Sequence, residues 1–343
     1  MARHGGTILA VQDTTSLNYN TQTKMEGIGY ICEQTLGVNI HSCLAVTADG
    51  LVLGVLAQSS YNREQPSDKT RTHESKRVRP LKEKESYRWV QTLGKTAEAV
   101  PEGDMYELFN EADGKGQAFL IRIVQNRKTA GNRKILDEIR AKSCKGKVKT
   151  IIPCNSRGGG KERETTLQIR YDRFEIKRPN ILNKIKHLKG TREVNVIFVR
   201  EEPHGQEIEP VEWFLMTNEK VSSAEDAYEK AVWYMQRWKI EQFHYVLKSG
   251  CAVEKLQEWS MDKTTMLVLM YSIIATFIMN ITYIARVNPY LPCTVCFEED
   301  EWKVLYRTAN KTKTSPEEPS GGGNVFKLAG RAGTGPRRWP SGC

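Results

Sequence analysis

Five polar side chains within YMQRWKIEQFHYVLKSG, residues 234–250, are spaced as if to share a site: Tyr234, Arg237, Glu241, His244 and Lys248. At about 100° per helical residue their offsets fall within a sector of roughly 80°, so one helix face would carry all five. A solvated face with salt bridges between its turns has the same pattern. Glu241 becomes a candidate for metal chemistry only if another carboxylate can reach it. Asp13 is the candidate, because TILAVQ at 7–12 reads as a short buried strand that ends there. Two carboxylates of this kind suit Mg²⁺ or Mn²⁺. A pair of such ions about 4 Å apart can activate water and stabilise the leaving oxygen in phosphodiester cleavage.

The elements that must position these residues are readable in outline. Ser222 with Glu225 has capping-box spacing and Gly250 sits where a stop is expected, so one helix is predicted over 223–249. Val232, Met235, Phe243 and Val246 would form its apolar side. After Asp13 comes TTSLNYN, which reads as a turn. Hairpin strands follow over 27–58, with an Asp-Gly turn at Asp49 and Gly50. Residues 60–80 read as an exposed basic loop. Residues 82–99 and 105–112 read as helices, and no apolar run between them could make a strand. Strands are predicted at 119–125, 165–179, 194–201 and 213–217, with a flexible loop at 156–163 and an irregular tail from Ser315.

The chain has 343 residues and a net charge of +10, which residues 143–192 match alone with 14 Lys or Arg against 4 Asp or Glu. Such a window favours a polyanion, nucleic acid before membrane, although a merely solvated basic face would look the same. Eight sparse cysteines make no disulfide framework and suggest a reducing compartment, and the lone Cys293–Cys296 pair lacks zinc-site partners. The N-terminus shows no signal peptide, so a cytoplasmic protein is expected. Residues 264–285 are uncharged for long enough to span a bilayer. The polar repeat Ser272, Thr276, Asn280 favours a buried core helix instead.

Tyr234, Arg237, Glu241 and Lys248 match Tyr-x2-Arg-x3-Glu-x6-Lys at every spacing, and AVQDTTSLNY, KESYRW, DMYELF and EWFLMTNEKV accompany them. On these motifs residues 7–290 resemble the DDE transposases of bacterial insertion sequences. The resemblance implies an α/β fold, an RNase H-like mixed sheet flanked by helices with a mostly β insertion. Asp13 and Glu241 would be catalytic carboxylates holding Mg²⁺ or Mn²⁺. Arg237 and Lys248 would contact DNA near the cleaved end, with Tyr234 and His244 beside them, and Trp213 would stack on a flipped transposon-end base. The partners implied are transposon-end and target DNA, and a homodimer or a mixed dimer with intact transposase, in the bacterial cytoplasm at the nucleoid.

The chain departs from that pattern where relatives carry their second catalytic Asp. Pro101-Glu102-Gly103-Asp104 stands there, and the central strand near 100–104 reads as deleted. Asp104 would be a metal ligand only by taking over the lost role. The expected organisation is a first core part at 1–125, a basic β-rich insertion at 126–212, a second core part at 213–290 and a largely irregular tail at 291–343. Two functions follow: a transposase impaired in DNA cleavage and strand transfer, or a catalytically dead DNA-binding protein that interferes with intact transposase.

Overall fold

The computed structural model describes residues 6–32, 34–63, 87–93, 98–100, 104–152, 163–182, 188–202, 210–288 and 290–317. In chain order they form β1 (Ile8–Asn18), β2 (Gly29–Tyr30), β3 (Leu36–Thr47), β4 (Val52–Tyr61), α1 (Tyr87–Leu93), β5 (Glu98–Val100), α2 (Tyr106–Gly114), β6 (Ala118–Arg122), α3 (Ile135–Ala141), β7 (Gly146–Ile152), β8 (Arg163–Lys177), β9 (Thr191–Glu201), β10 (Glu212–Thr217), α4 (Ala224–Met235), α5 (Trp238–Tyr245), α6 (Met261–Val287) and α7 (Glu299–Asn310). The fold is mixed α/β. The described residues divide into two compact units, the first holding 6–8, 13–63 and 238–317, the second 9–12 and 87–237. That partition groups the segments differently from the expected core and insertion.

In the first unit β3 is buried along nearly its whole length and pairs antiparallel with β2 and β4. The Asp-Gly turn forms as its sequence indicates: Gly50 has φ 96°, its N–H donates to Thr47 O at 2.9 Å, and Thr47 N–H donates to Leu51 O at 2.9 Å. The polar residues of β3 have partners on its neighbours. Ser16 Oγ donates to Asn39 Oδ1 at 2.7 Å, Thr14 Oγ1 lies 2.9 Å from His41 Nδ1, and Gln58 Nε2 donates to Ser42 Oγ at 3.0 Å. These bonds explain why β1 continues to Asn18 instead of turning after Asp13. Thr14 and Ser16, turn-prone on local grounds, find cross-strand hydrogen-bond partners that only the fold provides. Asp13 therefore lies within the strand, not at its end.

The long apolar segment becomes α6, capped by Ser260. Thr264, Val268, Ser272, Ala275, Thr276 and Met279 are buried, and Gln58 Nε2 donates to Ser272 Oγ at 2.9 Å. The core-helix expectation thus holds for one face. The opposite face is exposed, and only 33% of the most apolar window is buried. Among the described residues this is the one helix long and apolar enough to cross a membrane. Past it, Cys293, Phe297 and Trp302 pack on Ile281, so part of the expected tail is ordered structure ending in α7.

In the second unit Leu9–Gln12 of β1 runs parallel to β5, and β5 runs parallel to β6. From β6 the sheet continues antiparallel through β10, β9, β8 and β7. Two expectations need correction. The helix expected over 82–99 is described only as the short α1, and Glu98–Val100 is a strand, the extended conformation being fixed by pairing on both edges. The place of the strand read as deleted is therefore held by a three-residue strand; residues 101–103 lie outside the described residues. The loop expected at 60–80 and the one at 156–163 fall largely outside them too. β7 and α3 had no counterpart in the sequence reading.

Candidate functional site

The segment with the five polar residues starts one residue later than its capping signal suggested. Ser223 Oγ accepts from Asp226 N–H at 3.1 Å, and the Asp226 carboxylate accepts from Ser223 N–H at 3.2 Å, completing a capping box. Nor is the helix continuous over 223–249. α4 ends at Met235, and Gln236 and Arg237 donate to the carbonyls three residues back. α5 then runs to Tyr245, and a π-turn over Val246–Gly250 closes at the expected glycine. The tight turn and the wide one both shift helical phase, so the five residues are not one straight stripe. They are not a solvated face either: Tyr234 and His244 are buried, and Arg237, Glu241 and Lys248 are half-buried.

The unit boundary falls within that turn, so the five residues form two groups. In the first unit Asp13 meets the helix that carries Glu241. Asp13 Oδ2 lies 3.8 Å from Nδ1 of His244, one turn after Glu241. Two bonds seat the end of β1 against the chain after the π-turn: Tyr19 Oη donates to Val253 O at 2.9 Å, and Asn18 N–H donates to Glu254 Oε1 at 2.9 Å. Burial first, then the charge of Lys248 and the neighbouring His41, push the pKa of His244 down to about 3. The ring is therefore neutral near pH 7, and its 3.8 Å approach to Asp13 is a contact without a salt bridge. Its Nε2 is buried with no hydrogen-bond partner among the described residues. Asp13, Glu241, His244 and Lys248 thus sit in one unit, with His41 beside them.

The chemistry of Asp13 and Glu241 suits a hard divalent cation, but two ions need more ligands. Among the described residues no three His, Cys, Asp or Glu side chains gather so as to hold a metal ion. These residues do not provide the donor set of a two-metal centre.

Asp104, expected as a metal ligand only by taking over another residue's role, has both carboxylate oxygens engaged within its own unit. Its Oδ2 accepts from Val124 N–H at 2.9 Å and from Gln125 N–H at 2.8 Å. Its Oδ1 accepts from Arg127 Nε at 3.0 Å and Nη2 at 2.6 Å. Asp104 is buried and Arg127 with it. Both carboxylate oxygens are already engaged in fixing the chain after β6.

Trp213, Tyr234 and Arg237 belong to the second unit. The Trp213 and Tyr234 rings meet edge to face with centroids 5.9 Å apart, and the Arg237 guanidinium lies 5.9 Å from the Tyr234 ring centroid. Trp213 is half-buried in this group, so part of its ring is committed to Tyr234.

The basic window also has a different character in three dimensions. Arg163 makes two bonds to Glu201, at 2.7 and 2.6 Å. Lys147 pairs with Glu202 at 2.6 Å, Arg173 with Glu193, and Arg192 with Asp113. All four acids lie outside 143–192, so charge counted along that window overstates the charge on the surface. Burial alone would raise the pKa of Glu201, but bonds from Arg163 and Val211 N–H hold it below the usual carboxylate range. Lys145, Lys189 and Lys220 line an open cleft here together with Asp113, Asp172, Glu175 and Glu193. Lys145 Nζ lies 4.2 Å from the Tyr171 ring centroid, and its charge acts on Asp172.

The sequence reading did not single out His41 and Thr14. The available signal was Asn39 and His41 alternating on an otherwise apolar strand, a pattern that calls for buried partners on a neighbour. No protein-family model matches the chain.

Proposed function

We propose that this protein is a transposase-type DNA-binding protein with an RNase H-like core, impaired in metal-dependent strand cleavage and strand transfer. The observation that carries the reading is the meeting of Asp13, from the first strand, with the helix bearing Glu241, His244 and Lys248. The transposase resemblance assigns Asp13 and Glu241 to the catalytic centre and Lys248 and His244 to DNA contact. Strand order supports the same reading. β1 pairs antiparallel with β3 in one unit, where β4 follows, and parallel with β5 in the other, where β6 follows. An RNase H-like core needs three antiparallel strands followed by two parallel ones.

DNA would be held by its phosphates. Lys145, Lys189 and Lys220 in the cleft, and Lys248 and Arg237 near the signature helix, are the cations offered, and Trp213 would stack on a displaced base. The resemblance places Mg²⁺ or Mn²⁺ at Asp13 and Glu241, whose two carboxylates alone fall short of the ligands that two-metal cleavage needs. The committed Asp104 favours a second reading, that the chain binds DNA without cutting it and interferes with intact transposase, in the cytoplasm at the nucleoid of a bacterial cell. Salt-dependent binding of the full chain to random-sequence duplex DNA tests the common part of both readings. Affinity should fall steeply with salt, and Lys145→Ala, Lys189→Ala and Lys220→Ala together should lower the log–log slope by about 2 to 3. Binding that ignores salt, or none at low salt, contradicts the proposal.

A further inference from the structure

The outer face of α6 is apolar and open. Met266, Leu269, Met270, Ile273, Ile274 and Phe277 are 47–68% exposed and span an arc of about 140° on an ideal helix. No charged residue interrupts them, since between Lys263 and Arg286 the helix has none. The buried face is fixed to β4 through Ser272 and Gln58, so the helix cannot roll to hide the stripe. Six large side chains so exposed present on the order of 600 Å² of apolar surface, the top of the range for a monomer's largest patch and close to the ~800 Å² per partner of a standard interface.

We infer that a second copy of this chain covers the stripe, α6 packing antiparallel on α6 about a two-fold axis between residues 270 and 273. The spacing carries this choice. Met266, Met270, Ile273 and Phe277 are separated by four, three and four residues, an order that reads the same in both directions. Two-fold antiparallel pairing requires that property: Met266 faces Phe277 of the other copy, and Met270 faces its Ile273. Self-pairing would bury about 1,200 Å² in all, the lower bound of specific interfaces, and sets opposed helix dipoles side by side. The two longest segments outside the described residues are poor covers: residues 64–86 are mostly polar and charged, and 318–343 are rich in Gly and Pro without helical apolar periodicity.

The inference is independent of any DNA activity and is tested by mass. Sedimentation equilibrium of the full chain at tens of micromolar should give a dimer. Met270→Glu with Ile273→Glu should halve the weight-average mass while leaving the circular dichroism spectrum unchanged. Val124→Glu, a charge placed at an exposed apolar residue of the other unit, should remain dimeric. A monomeric wild type, or a double variant that stays dimeric, overturns the inference. So does flotation of a monomeric wild type with phosphatidylcholine–phosphatidylglycerol vesicles that the double variant loses, which would assign the stripe to lipid.

Discussion

The neighbourhood of Asp13 and the sheet from β7 to β10 differ in how their charged groups are met. Around β8 and β9 charges are numerous, yet Arg163, Lys147, Arg173 and Arg192 each have a carboxylate from a neighbouring element. Around Asp13 they are few, yet His244 is buried with Nε2 unpartnered among the described residues and its protonated form strongly disfavoured. Single buried atoms without a partner also occur in the sheet, at Thr165 Oγ1, Arg170 Nη1 and Arg192 Nε, so what sets the Asp13 neighbourhood apart is a buried imidazole held neutral beside a carboxylate.

Asp104 is the sharpest case, since sequence alone left it open as a metal ligand. Asp104→Ala removes both oxygens from buried Arg127 and from two backbone N–H groups. Urea unfolding should show a loss of about 3 to 5 kcal/mol, the cost of stranding a buried charge. A stability change near zero would return Asp104 to the list of candidate ligands. In the seam between β1 and β3, a Cβ added at Gly37 would lie 2.0 Å from Leu17 O. Gly37→Ala should therefore cost about 1 to 3 kcal/mol, and more if the strands cannot separate. The same unfolding experiment reads it.

Acid should weaken the Asp13 neighbourhood. The unfolded chain protonates His244 near its ordinary pKa of about 6.5, whereas the folded chain resists until about 3. The stability that His244 contributes is fully present above pH 6.5 and is lost as pH falls toward 3, by up to about 1.4 kcal/mol per pH unit. Chemical denaturation across that range should show this slope, flattened in His244→Gln. An unchanged slope in the variant would place the acid sensitivity elsewhere. The smallest effect belongs to Arg173 and Glu193, both largely exposed: a double-mutant cycle should give less than about 1 kcal/mol.

The sequence was most legible where chemistry is local. The Asp49-Gly50 turn, α2 from MYELFNEA, and β6, β8, β9 and β10 lie close to where their patterns placed them. It was least legible where partners come from afar. No Pro or Gly marks the break at Gln236–Arg237, and β1 runs on because His41 and Asn39 await Thr14 and Ser16. The acids that offset the basic window lie in β9, just after β9, and in α2. Composition alone gave α6 a choice between core and membrane, while its two faces have separate environments. Asp13 and Glu241 are candidates from a strand end and a helical spacing, but the commitment of Asp104 to Arg127 has no such signal, because nothing in PEGD points to a residue of the chain after β6.

The central claim is that DNA binding outlasts cleavage in this chain, and one gel measures both. Supercoiled plasmid incubated with the full chain in Mn²⁺ should be retarded at low salt, and after protein removal should remain supercoiled, in wild type and Glu241→Gln alike. Nicking by the wild type that disappears in Glu241→Gln would contradict the account and show that the chain supports Glu241-dependent cleavage.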